Sequence, residues 1–205
     1  KQRWWMFQAA PELSNSNFAQ FGMKALGFNK LPLTPWASGI LPLDGDDQSL
    51  LMSFNGKWRN SMRKGEKLGV KVTRKECSGG ELDLLLKNYN KLQKKRDFKG
   101  LSDSLLGGLA GQKGSHWGFN LFIARDNNLE VIDEDPLGIL VSIRSGDTAI
   151  YLIGLSNDKG RKMNANSVLL WQAILYANNQ GDCRWFDIGG LNQSTPKGIA
   201  SFKKG

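Results

Sequence analysis

YLIGLSNDKGRKMNANSVLLWQAILYANNQGDCRWFDIGG, residues Tyr151–Gly190, decides the fold because its hydrophobic period changes twice. Tyr151–Leu155 closes an apolar run with strand character that starts at Thr148. After a polar stretch, Asn164 can cap a helix running to about Gln180, whose wide apolar surface includes Val168, Trp171, Ile174 and Leu175. Gly181 stops that helix, and Arg184–Ile188 resumes the strand period before Gly189 and Gly190 turn the chain.

Upstream the strand period dominates. Phe119–Ala124, Leu129–Ile132, Leu137–Arg144 and Thr148–Leu155 read as strands, with Asp126–Asn128 and Ser145–Gly146 as hairpin turns, so the central strands are expected to be antiparallel neighbours. Before them, Leu82, Leu85, Leu86, Tyr89 and Leu92 trace a helical face, and a weaker helix is expected over Asp103–Ala110. Leu51, Phe54, Trp58 and Met62 predict a single amphipathic helix ending at Gly69, with a short strand at Val70 and Val72. Ile40, Leu41 and Leu43 predict another strand. Trp4–Phe7 and Phe18–Phe28 read as a strand and a short helix, followed by a connector with two prolines. The expected division is 1–35, a strand-helix piece, and 36–205, the main domain. The order of elements implies a mixed sheet with helices on its faces.

Lysine and arginine total 28 against 19 acidic residues, a formal charge of +9, which favours an anionic partner: RNA, a phosphorylated precursor or the surface of a membrane. Cys77 and Cys183 lie far apart with no companions at metal-ligand spacing, so neither a disulfide framework nor a metal site is implied, and a reducing cytoplasm is the expected location. No apolar run approaches the roughly 18 residues of a membrane span. A chain opening on lysine and stopping after FKKG reads as part of something longer.

Three stretches carry a family resemblance: FNGKWRNSMRKGEKLGVKV (Phe54–Val72), the segment Tyr151–Gly190, and GIASFKKG (Gly198–Gly205). Together they resemble the Fem branch of the GCN5-related N-acetyltransferase fold, the aminoacyltransferases that extend peptidoglycan side chains. The resemblance implies an α/β fold with a mixed, largely antiparallel sheet flanked by helices. It also implies transfer of an aminoacyl group from aminoacyl-tRNA to an amine of a phosphorylated or lipid-linked peptidoglycan precursor, with peripheral membrane contact and without cofactor. Fem enzymes resemble two such folds side by side, often with a helical arm associated with tRNA. This chain has room for one complete unit, so 1–35 reads as the remnant of a preceding subdomain, and a long charged heptad arm is missing.

The same resemblance implicates Lys203 of FKKG in transfer, as a cation stabilising negative charge on the carbonyl or leaving oxygen; the residues alone read equally as a solvated tail lysine. Asp187 is either a base or amine-orienting group, or a carboxylate that caps the glycine bend. Tyr151 either borders the donor site or packs in the core. Arg59 and Arg63, one helical turn apart, offer a forked grip on a diphosphate or nucleic-acid backbone, or are surface charge. Coenzyme A-dependent members present a glycine-rich loop to pyrophosphate. The equivalent loop, Ser156–Met163, holds one glycine, leaving Lys159, Arg161 and Lys162 either to meet phosphate as charges or to form an exposed basic loop. His116, the sole histidine, has no nucleophile pattern around it. Two further functions fit the same residues: acyl transfer from acyl coenzyme A to a sugar amine or other small amine, and non-catalytic RNA binding through the basic helices.

Overall fold

In a computed structural model, residues 16–32, 37–128, 135–192 and 195–204 are described. The chain forms two compact units, 1–35 and 36–205. In the first, helix α1 (Asn17–Ala25) is capped by the Ser16 side chain, which accepts from the Ala19 N–H, and it exposes Phe18 and Phe21.

The second unit begins with β1 (Ser38–Pro42), α2 (Asp47–Ser53), α3 (Gly56–Lys67) and β2 (Val70–Glu76). The single helix expected through Leu51 and Met62 is two helices. Phe54 adopts an extended backbone, and the Asn55 side chain accepts from the Trp58 N–H at 2.9 Å, starting α3 afresh. Apolar spacing runs straight through the break because Leu50, Phe54, Trp58 and Met62 all bury against one core. The pair Asn55–Gly56, a cap followed by a poor helix former, is the local cause. Gly69 ends α3 at φ +89°.

Helices α4 (Gly79–Arg96) and α5 (Asp103–Gly111) follow, then β3 (Trp117–Asp126), β4 (Gly138–Ser145) and β5 (Thr148–Ser156). The segments expected as strands at Leu129–Ile132 and Trp4–Phe7 lie outside the described residues. A one-turn helix α6 (Asp158–Lys162) leads into α7 (Ala165–Asn179), then β6 (Trp185–Gly190) and α8 (Lys197–Lys203).

The six strands form one sheet in the order β1-β6-β5-β4-β3-β2, antiparallel throughout except for β5 and β6. Parallel neighbours need a crossover, and α7 is that crossover, burying nine residues on one face of the sheet. The α7 face carries Phe122, Leu140 and Phe186 with Phe54, Trp58 and Met62; the opposite face carries Leu121, Ile139 and Val141 under Leu85, Tyr89 and Leu106. The sheet is thus covered on both sides.

Two features shape the region between β5 and α7. Pairing passes from Val141↔Ile153 to Ser142↔Tyr151, which leaves Leu152 as an extra residue on β5 and changes the face that later side chains occupy. Beyond the strand, Gly160 presses against the backbone of Leu137 so closely that a Cβ there would overlap the Leu137 carbonyl. Gly160→Ala is therefore expected to lower unfolding free energy by about 1–3 kcal/mol. Gly107→Ala, in open space on α5, is expected to be neutral or to stabilise by up to about 1 kcal/mol. Urea midpoints at constant slope test the pair.

Candidate active site

Strands β5 and β6 pair over Thr148↔Trp185, Ala149↔Phe186 and Ile150↔Asp187, and the recorded pairing stops there. At Tyr151, β5 takes its bulge, while Gly189, at φ +82°, bends β6 away. Backbone groups that would continue the ladder are freed at this point, and α8 lays a side chain against them. Lys203 Nζ donates to the Gly190 carbonyl at 3.3 Å and stands 5.3 Å from the centre of the Tyr151 ring, a cation–π arrangement.

Asp187 is buried, 9% exposed, on β6. Its Oδ1 accepts from the Gly189 N–H at 2.6 Å and from the Ser38 hydroxyl on β1. The carboxylate thus caps the glycine bend and also faces Lys203. Burial pulls the Lys203 ammonium below the usual lysine range, and the Asp187 charge opposes that shift. Burial pushes the Tyr151 phenol up to about 12, so it stays protonated at neutral pH. Because of the bulge, the ring runs along β5 over Gly154, where a Cβ would overlap the phenol oxygen. Gly154 is what lets the ring lie flat beneath the lysine.

Of these groups Lys203 borders a cleft of about 220 Å³, together with Lys204, and its walls include Gly39, Ile40, Phe54, Ile188 and Leu191. Arg59 stands behind one wall: its Nη1 donates to the carbonyls of Met52 at 3.0 Å and Phe54 at 2.9 Å, clamping the break between α2 and α3. Arg63 is exposed and is not part of the lining. The structure therefore brings Lys203, Asp187 and Tyr151 together, with Arg59 holding the cleft wall.

Lys159 and Arg161 lie elsewhere, beyond the far end of β5. Lys159 Nζ pairs with Asp126 at 2.7 Å and lowers that carboxyl, while Arg161 bonds Asp158 and the Ser156 carbonyl, the latter at 2.8 Å. With Asn157 capping Gly160 at 2.7 Å, this loop is held by its own side chains. Sequence reasoning missed Ser38, Gly154 and Phe54 as parts of the site. Ser38 meets Asp187 across 149 positions, a separation that leaves no local signal. Helix α8 was also missed: it is short, and its apolar residues lack a clear period.

The family model described as "Acetyltransferase (GNAT) domain" matches residues 53–204. No curated protein matches the chain at the sequence level. Among solved structures, the crystal structure of FemX is similar at TM-score 0.69 and 18% identity, over 92% of this chain and 64% of that one. The C-terminal domain of a protein described as a lysylphosphatidylglycerol synthetase, from Agrobacterium fabrum, is similar at TM-score 0.53 and 14% identity, over 82% and 49%. L-PGS from Bacillus licheniformis is similar at TM-score 0.50 and 12% identity, over 78% and 47%. The chain thus spans from about half to just under two thirds of the length of these neighbours, and at these identities the likeness is one of fold.

The electrostatic arrangement sets a titration order. Lys203 is expected to titrate below the exposed lysines, and in Asp187→Asn lower still, because the charge that favours its protonated form is gone. Side-chain nitrogen NMR across an alkaline titration measures both shifts; an Asp187→Asn variant whose Lys203 titrates unchanged or higher contradicts the arrangement.

Proposed function

The chain belongs to the acetyltransferase (GNAT) domain family, and from that premise we propose that it forms an amide by moving an aminoacyl group from aminoacyl-tRNA to an amine of a peptidoglycan precursor. One observation carries the reading: a partly buried lysine, held over an aromatic ring, stands where two parallel strands part.

The chemistry needs a neutral amine, an ester carbonyl held beside it, and a donor aimed at the developing negative charge. The amine nitrogen forms the new C–N bond, and the C–O bond to the ribose breaks. Lys203 as an ammonium meets the oxyanion and then gives its proton to the departing ribose oxygen, recovering one from the attacking amine. Its lowered pKa makes that donation easier, while Asp187 keeps the group charged before reaction. Tyr151 supplies a flat, dry surface beneath the lysine, and the apolar walls exclude water from the ester. An activated ester asks little more of the protein than position and electrostatics.

The neighbours support the choice of partners. FemX shares the fold, and the Agrobacterium fabrum neighbour is described as a lysylphosphatidylglycerol synthetase, a name that concerns an aminoacyl group and a lipid. A lipid-linked precursor fits a chain of formal charge +9, whose basic surface would draw it to the inner face of the membrane, with the protein itself in the cytoplasm. Among the described residues no helix is long and apolar enough to cross a membrane. Acyl coenzyme A is the second donor, favoured by the description of the matching family. Against it, the loop expected to meet pyrophosphate directs Lys159 and Arg161 to protein partners.

The test offers labelled aminoacyl-tRNA or labelled acetyl coenzyme A with precursor, and follows which label becomes acid-stable. The expected result is incorporation from aminoacyl-tRNA, reduced about 10²-fold or more in Lys203→Ala. The rate should also fall as pH rises through the lowered pKa of Lys203, and Lys203→Arg should move that alkaline limb upward. Incorporation from acetyl coenzyme A alone replaces the proposed donor with the second one. No incorporation from either, or full activity in Lys203→Ala, removes the catalytic assignment.

A further inference from the structure

A second cavity, of about 400 Å³, opens on the α7 face of the sheet beneath the C-terminal end of α7, and it shares no lining residue with the Lys203 cleft. Its floor interrupts an otherwise apolar surface. Glu76 on β2 pairs with Asn120 on β3, and Asn120 with Ser142 on β4, so one rung across three strands is polar. Directly paired residues share a face. Asn120 and Ser142 are buried, 7% and 5% exposed. Polar groups at that depth carry a desolvation cost of roughly 1–3 kcal/mol each unless they are hydrogen-bonded.

Protein partners account for only part of their capacity. Asn120 Oδ1 accepts from Arg74 Nη1 at 2.8 Å, and Arg74 is itself held over the Tyr176 ring, 4.5 Å from its centre. With the oxygen so engaged, the amide nitrogen is the end left for the cavity. Among the described residues no protein hydrogen bond is made by that nitrogen or by the Ser142 hydroxyl, and neither is a sealed, unpartnered atom, so both remain open to the cavity. Arg144 also lines the cavity; it gives Nη1 to Asp182 at 2.7 Å and Nη2 to the Ser115 carbonyl, and a guanidinium has five N–H donors. The interior is therefore rich in donors. Acceptors line the cavity too: Glu76, exposed at the mouth, Asp182, already paired with Arg144, and the side-chain amides of Gln112 and Gln180, while Trp117, Phe119 and Ala149 supply apolar lining. Cys77 and Cys183 border the same space, but burial pushes both thiols up, Cys77 to about 11, so neither is a thiolate nucleophile at neutral pH.

We propose that this cavity is a binding site for a small carboxylate with an adjoining N–H, such as an N-acylated amino acid or the carboxyl end of a short peptide. The carboxylate takes the Asn120 amide, the Ser142 hydroxyl and the Arg144 guanidinium; the N–H faces Glu76. Arg74 acts as a positioning residue, fixing which end of the Asn120 amide meets the ligand.

The probes are N-acetyl-L-alanine and N-acetyl-L-alaninamide, which differ in the carboxylate alone, titrated into the whole chain while side-chain and backbone amide NMR signals are followed. The acid is expected to bind saturably, shifting the Asn120 side-chain signals, and the amide at least tenfold more weakly. Ser142→Ala is expected to weaken the acid at least tenfold, about 1.4 kcal/mol, with an unchanged melting temperature. Arg74→Gln also weakens it and broadens the Asn120 signals. Lys203→Ala leaves it unaltered. Equal binding of both probes, no saturable shift, undiminished binding in Ser142→Ala, or loss in Lys203→Ala each overturns the assignment.

Discussion

The crossover of α7 is the constraint from which the rest follows. Two parallel neighbours cannot be joined by a tight turn, so burying this helix on one face of the sheet is what sets β6 beside β5. Once they are parallel, their pairing is free to end early without breaking a hairpin. It ends after Ile150 and Asp187, where a bulge on one strand and a positive-φ glycine on the other turn the backbones apart. Polar main-chain groups left at such a parting require partners. Lys203 supplies one, and its own desolvation follows from the apolar company it keeps there.

The chemistry of the cleft rests on balance between burial and charge. A lysine placed against a ring and away from water loses affinity for its proton, whereas a buried carboxylate nearby restores some of it. Asp187 can hold that position because its own oxygen is tied to the Gly189 N–H and the Ser38 hydroxyl. The bend-capping contact and the electrostatic one are therefore the same placement seen from two sides. β1 matters to the site through Ser38 and through Gly39, Ile40 and Leu41, which line the cleft.

Long, strongly patterned elements were legible in the sequence. The near-continuous apolar runs of Phe119–Ala124 and Thr148–Leu155, the broad apolar surface of α7 and the Ser145–Gly146 turn each declare themselves within a window of a few residues. The break between α2 and α3 was hidden because the apolar face continues across it, and only Asn55 with Gly56 marked the change. Lys203 and Asp187 came to attention through family likeness and their place beside glycines. Their meeting with Ser38, and the flat seat that Gly154 gives Tyr151, depend on tertiary placement that no local pattern encodes. The charge of Arg59 suggested either an outward grip or plain surface charge, and its contact with the Met52 and Phe54 carbonyls at the helix break had no local signal.

Helix α8 has seven residues and buries none of them fully; among its apolar residues, Phe202 packs partly against the core. A helix that short has little stability of its own. Its attachment to the sheet therefore opens at a much lower free energy than the core does. Lys203 rides on this shallowly seated helix, so its contact with the Gly190 carbonyl should be lost on heating ahead of melting, and a ligand that clamps α8 would hold that contact without altering the interior.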